Sequence, residues 1–329
     1  MRCQERPFVT VLMSCYNAAD WLEESVSSVL KQTYTNFEFL IIDDGSKDLT
    51  LDILQSFAAK DDRIVVVKKN NTGLAHSLNI GLNSARGEWI ARIDADDICE
   101  LNRLTKQVEY VLANPDVVFV GSGLTLINEE GNAGARFIYP ADHAMLLNRL
   151  LKAKSFPPHS SAFYKCEAAL EVGGYRGRIK RAEDWDLWLR LSAKGRLASI
   201  REALVRIRKH SDQISLAGGG FDQIVDCRLS IISYLLKRDG FEDPVSGEEE
   251  IFMEFANWVI SRLRANNYLD YCKWKAKLRG GTALSTLINL MKSMLKSPRY
   301  FLKLISELFL GDNFAINAKK IMINPHKHN

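Results

Sequence analysis

Four short apolar runs alternate with helix-patterned segments over the first 120 residues, and this rhythm leaves few folds open to the chain. Residues 8–14, 37–42, 64–67 and 88–93 read as buried strands. Between them, Leu22, Val26, Val29 and Leu30 form one apolar helix face, and Leu51, Ile53, Leu54 and Phe57 a second. Residues 74–85 and 101–112 continue the pattern as helices. Asp20, with Glu23 three residues on, reads as a capping box for the first helix. Strands and helices alternating at this spacing imply βαβ units and a mostly parallel sheet covered on both faces. In such sheets ligands bind beyond the carboxyl ends of the strands. Three polar clusters fall there: residues 14–17, 43–46 and 94–97.

The last cluster, Asp94-Ala95-Asp96-Asp97, carries the most chemistry. Carboxylates this close repel one another unless a cation sits among them. Oxygen ligands on a loop suit Mg²⁺ or Mn²⁺, whose shell is completed by water and substrate phosphate. The competing reading is a solvated Asp-rich turn. Arg92, two residues before the acids, can steady a diphosphate or simply balance local charge. At the first cluster, Ser14-Cys15-Tyr16-Asn17, an aromatic at a strand end can stack on a nucleobase, or it can be an ordinary turn residue. Asp43 and Asp44 can accept from a base imide or a ribose hydroxyl, or cap an Asx-turn with Gly45 left-handed. Farther on, Glu183, Asp184 and Asp186 open an amphipathic run. They either favour a helix dipole or supply a general base for an acceptor hydroxyl. His159, after Pro157-Pro158, and His210, after Arg208, are candidates for phosphate or acceptor contact, against a purely structural role.

Residues 117–208 loosen into shorter strands and helices, and Gly218-Gly219-Gly220 marks a boundary after which the chain reads as helical. From Lys273 onward there are eleven Lys/Arg against two acids, a surplus of +9, while the first 272 residues hold 33 basic and 38 acidic residues, a net −5. An acidic body with a basic tail suggests an anionic partner for the tail. Within residues 282–310, Leu284, Leu287, Ile288 and Met291, and later Phe301, Leu304, Ile305 and Leu308, recur at helical spacing. They fit helices lying on an anionic membrane surface, or packing on the body or on a second subunit in a homodimer. Six scattered cysteines without metal-ligand spacing argue for a reducing compartment and against structural zinc. No signal peptide is expected from the polar residues 1–7, and no apolar run reaches the roughly 18 residues of a membrane span. The expected location is cytoplasmic, or peripheral on the inner face of the cell membrane.

Taken together, these motifs resemble the family 2 glycosyltransferases of the GT-A fold. The matching residues are 9–17, 37–46, Asn71-Thr72-Gly73-Leu74-Ala75 with Asn79, 91–97, and Glu183-Asp184-Trp185, in that order over roughly 7–210. The resemblance implies a GT-A catalytic domain over 1–215, with a nucleotide-binding half over 1–120 and an acceptor half over 121–215. A helical region would follow over 216–329. It implies an inverting enzyme that moves a sugar from a nucleotide-sugar donor, most often a UDP-sugar, with Mg²⁺ or Mn²⁺. The acceptor would be a hydroxyl of a glycan or lipid-linked molecule in bacterial surface polysaccharide synthesis. Ser14, Tyr16, Asn17, Asp43 and Asp44 would hold base and ribose, with Arg92 on the donor side. Asp94 would face the ribose or the metal's water shell, and Asp96 would bind the metal. Asp184 would be the base, with its neighbour Glu183 the alternative, and His159 and Trp185 would meet the acceptor. No nucleic-acid partner is implied. A nucleotidyltransferase would want a Gly-rich, basic loop at 14–20, and a nicotinamide dehydrogenase a G-x-G-x-x-G there; neither is present. A binding protein that kept the fold and lost the chemistry is the non-enzyme alternative, against which the intact acids argue.

Overall fold

The computed structural model describes residues 8–210 and 221–278, with side chains to residue 263. One compact unit runs to Cys227 and a second begins at Arg228. The first opens as β1 (Val9–Cys15), α1 (Ala19–Leu30), β2 (Phe37–Asp43), α2 (Thr50–Ala58), β3 (Ile64–Lys68), α3 (Leu74–Ser84) and β4 (Trp89–Arg92). The strands lie in the order β3-β2-β1-β4, all parallel. Every residue of β1 and β2 is buried, as an uninterrupted apolar run flanked by helices on both faces requires. Leu22, Val26 and Val29 of α1 and Leu54 of α2 pack into that core. Register brings Cys15 beside Asp43, and Asp43 beside Lys68, so the polar clusters converge at one end of the sheet.

Beyond β4 the sheet becomes mixed. It continues through β5 (Ile98–Cys99), α4 (Arg103–Ala113), β6 (Val117–Ile127), β7 (Ala133–Phe137), α5 (His143–Leu151), β8 (Phe163–Lys165), α6 (Cys166–Glu171), α7 (Glu183–Leu191) and β9 (Arg196–Arg208). The strand order goes on as β4-β8-β6-β9-β5, with β7 on β6. Strand β8 is antiparallel to β4 and β6, whereas β6 and β9 are parallel to each other. The expectation of short strands here is corrected: β6 has 11 residues and β9 has 13, the longest of the described strands. Gly121 and Gly123 interrupt the apolar pattern of β6 because neighbours come close. A Cβ on Gly121 would lie 2.3 Å from Pro157 Cβ, and one on Gly123 would lie 2.5 Å from the Phe137 carbonyl.

The expected capping box on α1 is also corrected. Asp20 lies inside the first turn, and no side chain of the helix caps it. Its free N–H groups are taken from across the sheet end instead: Ala18 N–H donates to Thr50 Oγ1 (2.8 Å) and Ala19 N–H to Asp48 Oδ2 (3.2 Å). The β2–α2 loop thereby locks onto the β1–α1 loop.

The second unit is helical where described. It contains the remainder of α8 (Phe221–Arg238), which begins in the first unit, and α9 (Glu249–Leu278). Leu229, Ile232, Leu236, Phe255 and Val259 are buried. No described helix is long and apolar enough to cross a membrane. The boundary expected near residue 215 and the amphipathic segments expected over 282–310 lie outside the described residues.

Candidate active site

Strand β4 delivers a fully buried arginine, Arg92, and then the acidic turn. Arg92 pairs with Asp94 and donates from Nη1 to Ser160 Oγ (3.2 Å). Asp97 N–H closes the turn on the Asp94 carbonyl (3.3 Å), which also accepts from Ser25 Oγ (3.1 Å) of α1. Ser160, on a short turn spanning His159–Ser161, accepts the Asp94 N–H at 3.1 Å. Its hydroxyl faces both Asp94 Oδ2 (2.8 Å) and Asp97. Carboxylate oxygens of Asp94, Asp96 and Asp97 all lie within 4.8 Å of one another.

The three acids differ electrostatically. Burial works against ionisation of Asp94, but the Arg92 charge outweighs it and holds this carboxyl below the usual range. Burial, then the charge of Asp94, pushes Asp96 up. Asp97, only 3% exposed, is pushed well up by burial and by both neighbours. Asp97 therefore reads as the internal anchor of the turn, accepting Arg208 N–H at 3.0 Å. Asp94 and Asp96 remain partly open and fit a hard divalent cation by the chemistry of their oxygens.

Two residues at the end of β9 complete this wall. Arg208 is buried, lies 4.5 Å over the Trp21 ring, pairs with Glu24, and donates to the Asp96 carbonyl at 3.2 Å. His210 Nε2 sits 2.9 Å from Asp96 Oδ2. His210 had been a candidate from sequence; Arg208 and Ser160 had not. Neither carried a local signal, because their importance comes from contacts made 63 to 184 residues away in sequence.

On the β1–β2 side, Asn17 takes a left-handed φ of 49° and ties the two loops together. Its side-chain oxygen accepts Lys47 N–H (2.8 Å), and its own N–H donates to Ser46 Oγ (3.0 Å). Ser14 is buried at the strand end, while Tyr16 is 45% exposed and free to serve as a stacking face. Asp44 is saturated: Lys69 pairs with it, Thr72 N–H donates to Oδ1 (2.9 Å) and Gly73 N–H to Oδ2 (2.9 Å). Gly73 can present that N–H while capping α3 because its φ is +91°, a conformation glycine adopts without strain. Asp43 contrasts with it. Its Oδ1 accepts Ser46 N–H (3.2 Å), but its buried Oδ2 has no partner. An acceptor left bare is costly.

The opposite wall comes from α7. Of the acids in its first turn, Asp186 is neutralised between Arg176 and Arg190. Glu183 and Asp184 form no ion pair among the described residues and line a cleft of about 910 Å³. Burial, and then the adjacent Asp184, pushes Glu183 up to about 8. Burial likewise raises Asp184, whose Oδ1 accepts Trp185 N–H at 2.6 Å. The same cleft is lined by Gly73 of the Asp44-anchored loop and His76 of α3, by Arg92, Asp94, Asp96 and His159, and by Lys180 and Arg181. Of the residues expected from sequence, Arg92, Asp94, Asp96, His159, Glu183 and Asp184 thus meet in one cleft. Ser14, Tyr16, Asn17, Asp43 and Asp44 cluster at the neighbouring strand ends. Trp185 does not line the cleft; its indole N–H donates to the Leu150 carbonyl at 3.2 Å.

Comparison with known proteins agrees with this geometry. The sequence pattern of glycosyl transferase family 2 matches residues 10–173. The putative glycosyltransferase EpsE of Bacillus subtilis is 38% identical over 63% of this chain and 74% of its own length. The putative teichuronic acid biosynthesis glycosyltransferase TuaG of the same organism is 31% identical over 64% and 82%. The chain belongs to glycosyltransferase family 2, and it is a glycosyltransferase. Among solved structures, S. aureus TarS 1-349 in complex with UDP-GlcNAc superposes with a TM-score of 0.60 at 19% identity, covering 82% of this chain and 77% of that one. The mannosyltransferase PcManGT from Pyrobaculum calidifontis, in complex with GDP-Man and Mn²⁺, gives 0.55 at 19% identity, covering 98% and 89%. These likenesses establish the GT-A fold.

Proposed function

We propose that the chain is an inverting transferase that moves a sugar from a nucleotide-diphosphate donor, a UDP-sugar, to a hydroxyl of a glycan or lipid-linked acceptor. The observation that carries this reading is the meeting of two carboxylate sets in one cleft: Asp94 and Asp96 on one wall, Glu183 and Asp184 on the other. A single displacement at the anomeric carbon needs just this division. One side must accept the acceptor's proton, and the other must tolerate charge on the departing diphosphate.

Asp184 takes the acceptor proton, since its carboxyl lines the cleft and its raised proton affinity brings it nearer to neutral pH. Glu183 is the alternative base, its own proton affinity raised by burial and by the adjacent Asp184. Asp94 and Asp96 would hold Mg²⁺ or Mn²⁺, which when bound offsets the charge gathering on the diphosphate. Arg92 keeps Asp94 ionised and oriented. Tyr16 stacks on the base, the bare Asp43 Oδ2 accepts a base N–H, and Asp44 shapes the loop that borders the donor. The complexes of the two structural neighbours, one with UDP-GlcNAc and one with GDP-Man and Mn²⁺, support a nucleotide-sugar donor and a divalent cation. The name of TuaG supports a polysaccharide pathway.

The test is a panel of nucleotide sugars with Mn²⁺, read by thermal stabilisation and by release of free nucleotide with and without glycan acceptors. A ligand that binds only the native state raises its stability. Stabilisation by UDP-sugars that disappears with chelator is expected; no response to any nucleotide sugar would overturn the reading.

A further inference from the structure

Two buried tyrosine rings and the half-buried imidazole of His159 form a hydrogen-bonded row beside the cleft, whose direction follows from counting protons. Tyr164 Oη lies 3.0 Å from Tyr175 Oη, which lies 3.0 Å from His159 Nε2. The tyrosines are 0% and 2% exposed, so bulk water does not reach them. Each hydroxyl has one proton to give, and a neutral imidazole has one. Among the described residues Tyr164 Oη has no partner except Tyr175. The Trp188 ring packs 5.3 Å away, but its indole nitrogen is itself an unpartnered donor.

The Tyr164 proton therefore goes to Tyr175 or to nothing, and a buried unmade hydrogen bond costs about 1–3 kcal/mol. If Tyr164 donates to Tyr175, then Tyr175 donates onward to His159 Nε2. That nitrogen must be bare, which leaves the ring proton on Nδ1. An imidazolium fails the same count, because an N–H at Nε2 would reverse the row and strand the Tyr164 proton. Burial and the neighbouring Arg92 charge also keep His159 uncharged, holding it well below its usual value. Nδ1 makes no hydrogen bond among the described residues and is not a buried orphan, so it is open where His159 lines the cleft.

We propose that the Tyr164–Tyr175–His159 row is a positioning device that fixes His159 as its Nδ1–H tautomer and so presents one neutral hydrogen-bond donor to a sugar hydroxyl in the cleft. The ligand class follows from the surroundings. The cleft already carries charges of both signs, Asp94, Glu183 and Asp184 against Arg92, Lys180 and Arg181, and a neutral N–H among them pairs well with a neutral oxygen. The hydroxyl belongs either to the donor's sugar or to the acceptor. This last step rests on the transferase reading above; the tautomer does not.

Two measurements test it on the full-length chain. In ¹⁵N-histidine spectra, with His159 assigned by its loss in H159N, wild type should show protonated Nδ1 and bare Nε2. Y164F should keep that tautomer, since Tyr175 still donates, and Y175F should lose it or mix the two. An Nε2–H tautomer in wild type overturns the row, whatever the activity. The second measurement compares H159N, whose amide N–H replaces Nδ1–H, with H159Q, whose amide N–H replaces Nε2–H. H159Q and Y175F should weaken sugar recognition roughly ten-fold, and H159N should retain more of it. If the donor's sugar is read, the loss appears in binding of UDP-glucose relative to UDP. If the acceptor is read, donor binding holds and the acceptor KM rises. Equal behaviour of H159N and H159Q in both arms overturns the donor role. A correct tautomer in a chain that turns over no nucleotide sugar removes the transferase reading and leaves the row standing.

Discussion

Asp44→Asn tests whether the loop bordering the cleft is organised by one buried carboxylate. Asp44 is 4% exposed and satisfies a lysine and two backbone N–H groups. The substitution keeps the volume, removes the charge, and turns an NH₂ toward a group that was donating. Breaking a buried pair by losing one partner costs about 3–5 kcal/mol. Lys69 retains Ser77 Oγ at 3.1 Å, which favours the lower end. At about 2–4 °C per kcal/mol for a domain of this size, a loss near 3 kcal/mol lowers the melting midpoint by about 6–12 °C. Differential scanning fluorimetry with urea titration reads this directly. The double variant D44N/K69M should be less destabilised than the two single losses added, because the stranded charge is gone. The pH dependence has a definite sign. The net effect of its partners holds the folded carboxyl of Asp44 below the unfolded value of about 3.9, even though burial alone would raise it. Its contribution is therefore complete above that value and is lost as pH falls through the lower, folded one. D44N should lack this acid-sensitive component. A midpoint within about 2 °C of wild type, with the acid transition unchanged, would refute the argument.

The other expectations concern chemistry and the tail. Asp96→Asn should abolish transfer and the metal-dependent part of donor stabilisation while the fold survives; full activity in excess chelator would contradict the assignment. Asp184→Asn should leave donor affinity nearly unchanged and cut turnover by about 10²–10⁴-fold, with Glu183→Gln milder. The reverse ranking in steady-state kinetics would make Glu183 the base. Because burial raises both carboxyls, helped by the Asp184 charge at Glu183 and by the Asp94 charge at Asp184, kcat/KM should climb with pH through a limb above the ordinary aspartate value of about 3.9. A limb at or below that value would show that donor or metal charge cancels the effect of burial. Full-length protein should co-sediment with anionic liposomes and release at high salt, and a chain ending near Gly280 should not. A switch from dimer to monomer on truncation, with no change in sedimentation, would make the tail an assembly element.

The parts of this molecule that could be read from sequence are those whose causes are local. Strands β1 to β4 announce themselves because each is a short apolar run bounded by its own polar cluster, and a parallel sheet brings such clusters to one end without further instruction. Asp94, Asp96, Glu183 and Asp184 were accessible for the same reason, being runs of acids at element ends. Long-range causes stayed hidden. Asp20 resembles a cap, but α1 is capped by Thr50 and Asp48, which reach it only once two loops have met. Strands β6 and β9 hide behind glycines that exist for Pro157 and Phe137, and behind arginines such as Arg208 that are buried yet satisfied.

That division carries over to how the site works. The residues with chemistry, read by pattern, would be a crowd of repelling acids by themselves. What separates them into roles is the hidden set. Arg92 and Ser160 hold Asp94 ionised and in place, and the Arg208 N–H fixes Asp97 as an anchor. Arg176 and Arg190 remove Asp186 from the cleft and leave Glu183 and Asp184 to face it. These partners come from β4, the His159–Ser161 turn, β9, the loop before α7 and α7 itself, so only the fold brings them together. A single carboxylate motif can therefore be kept by a chain that has lost activity, whereas the graded proton affinities along the cleft require the whole fold to be in register.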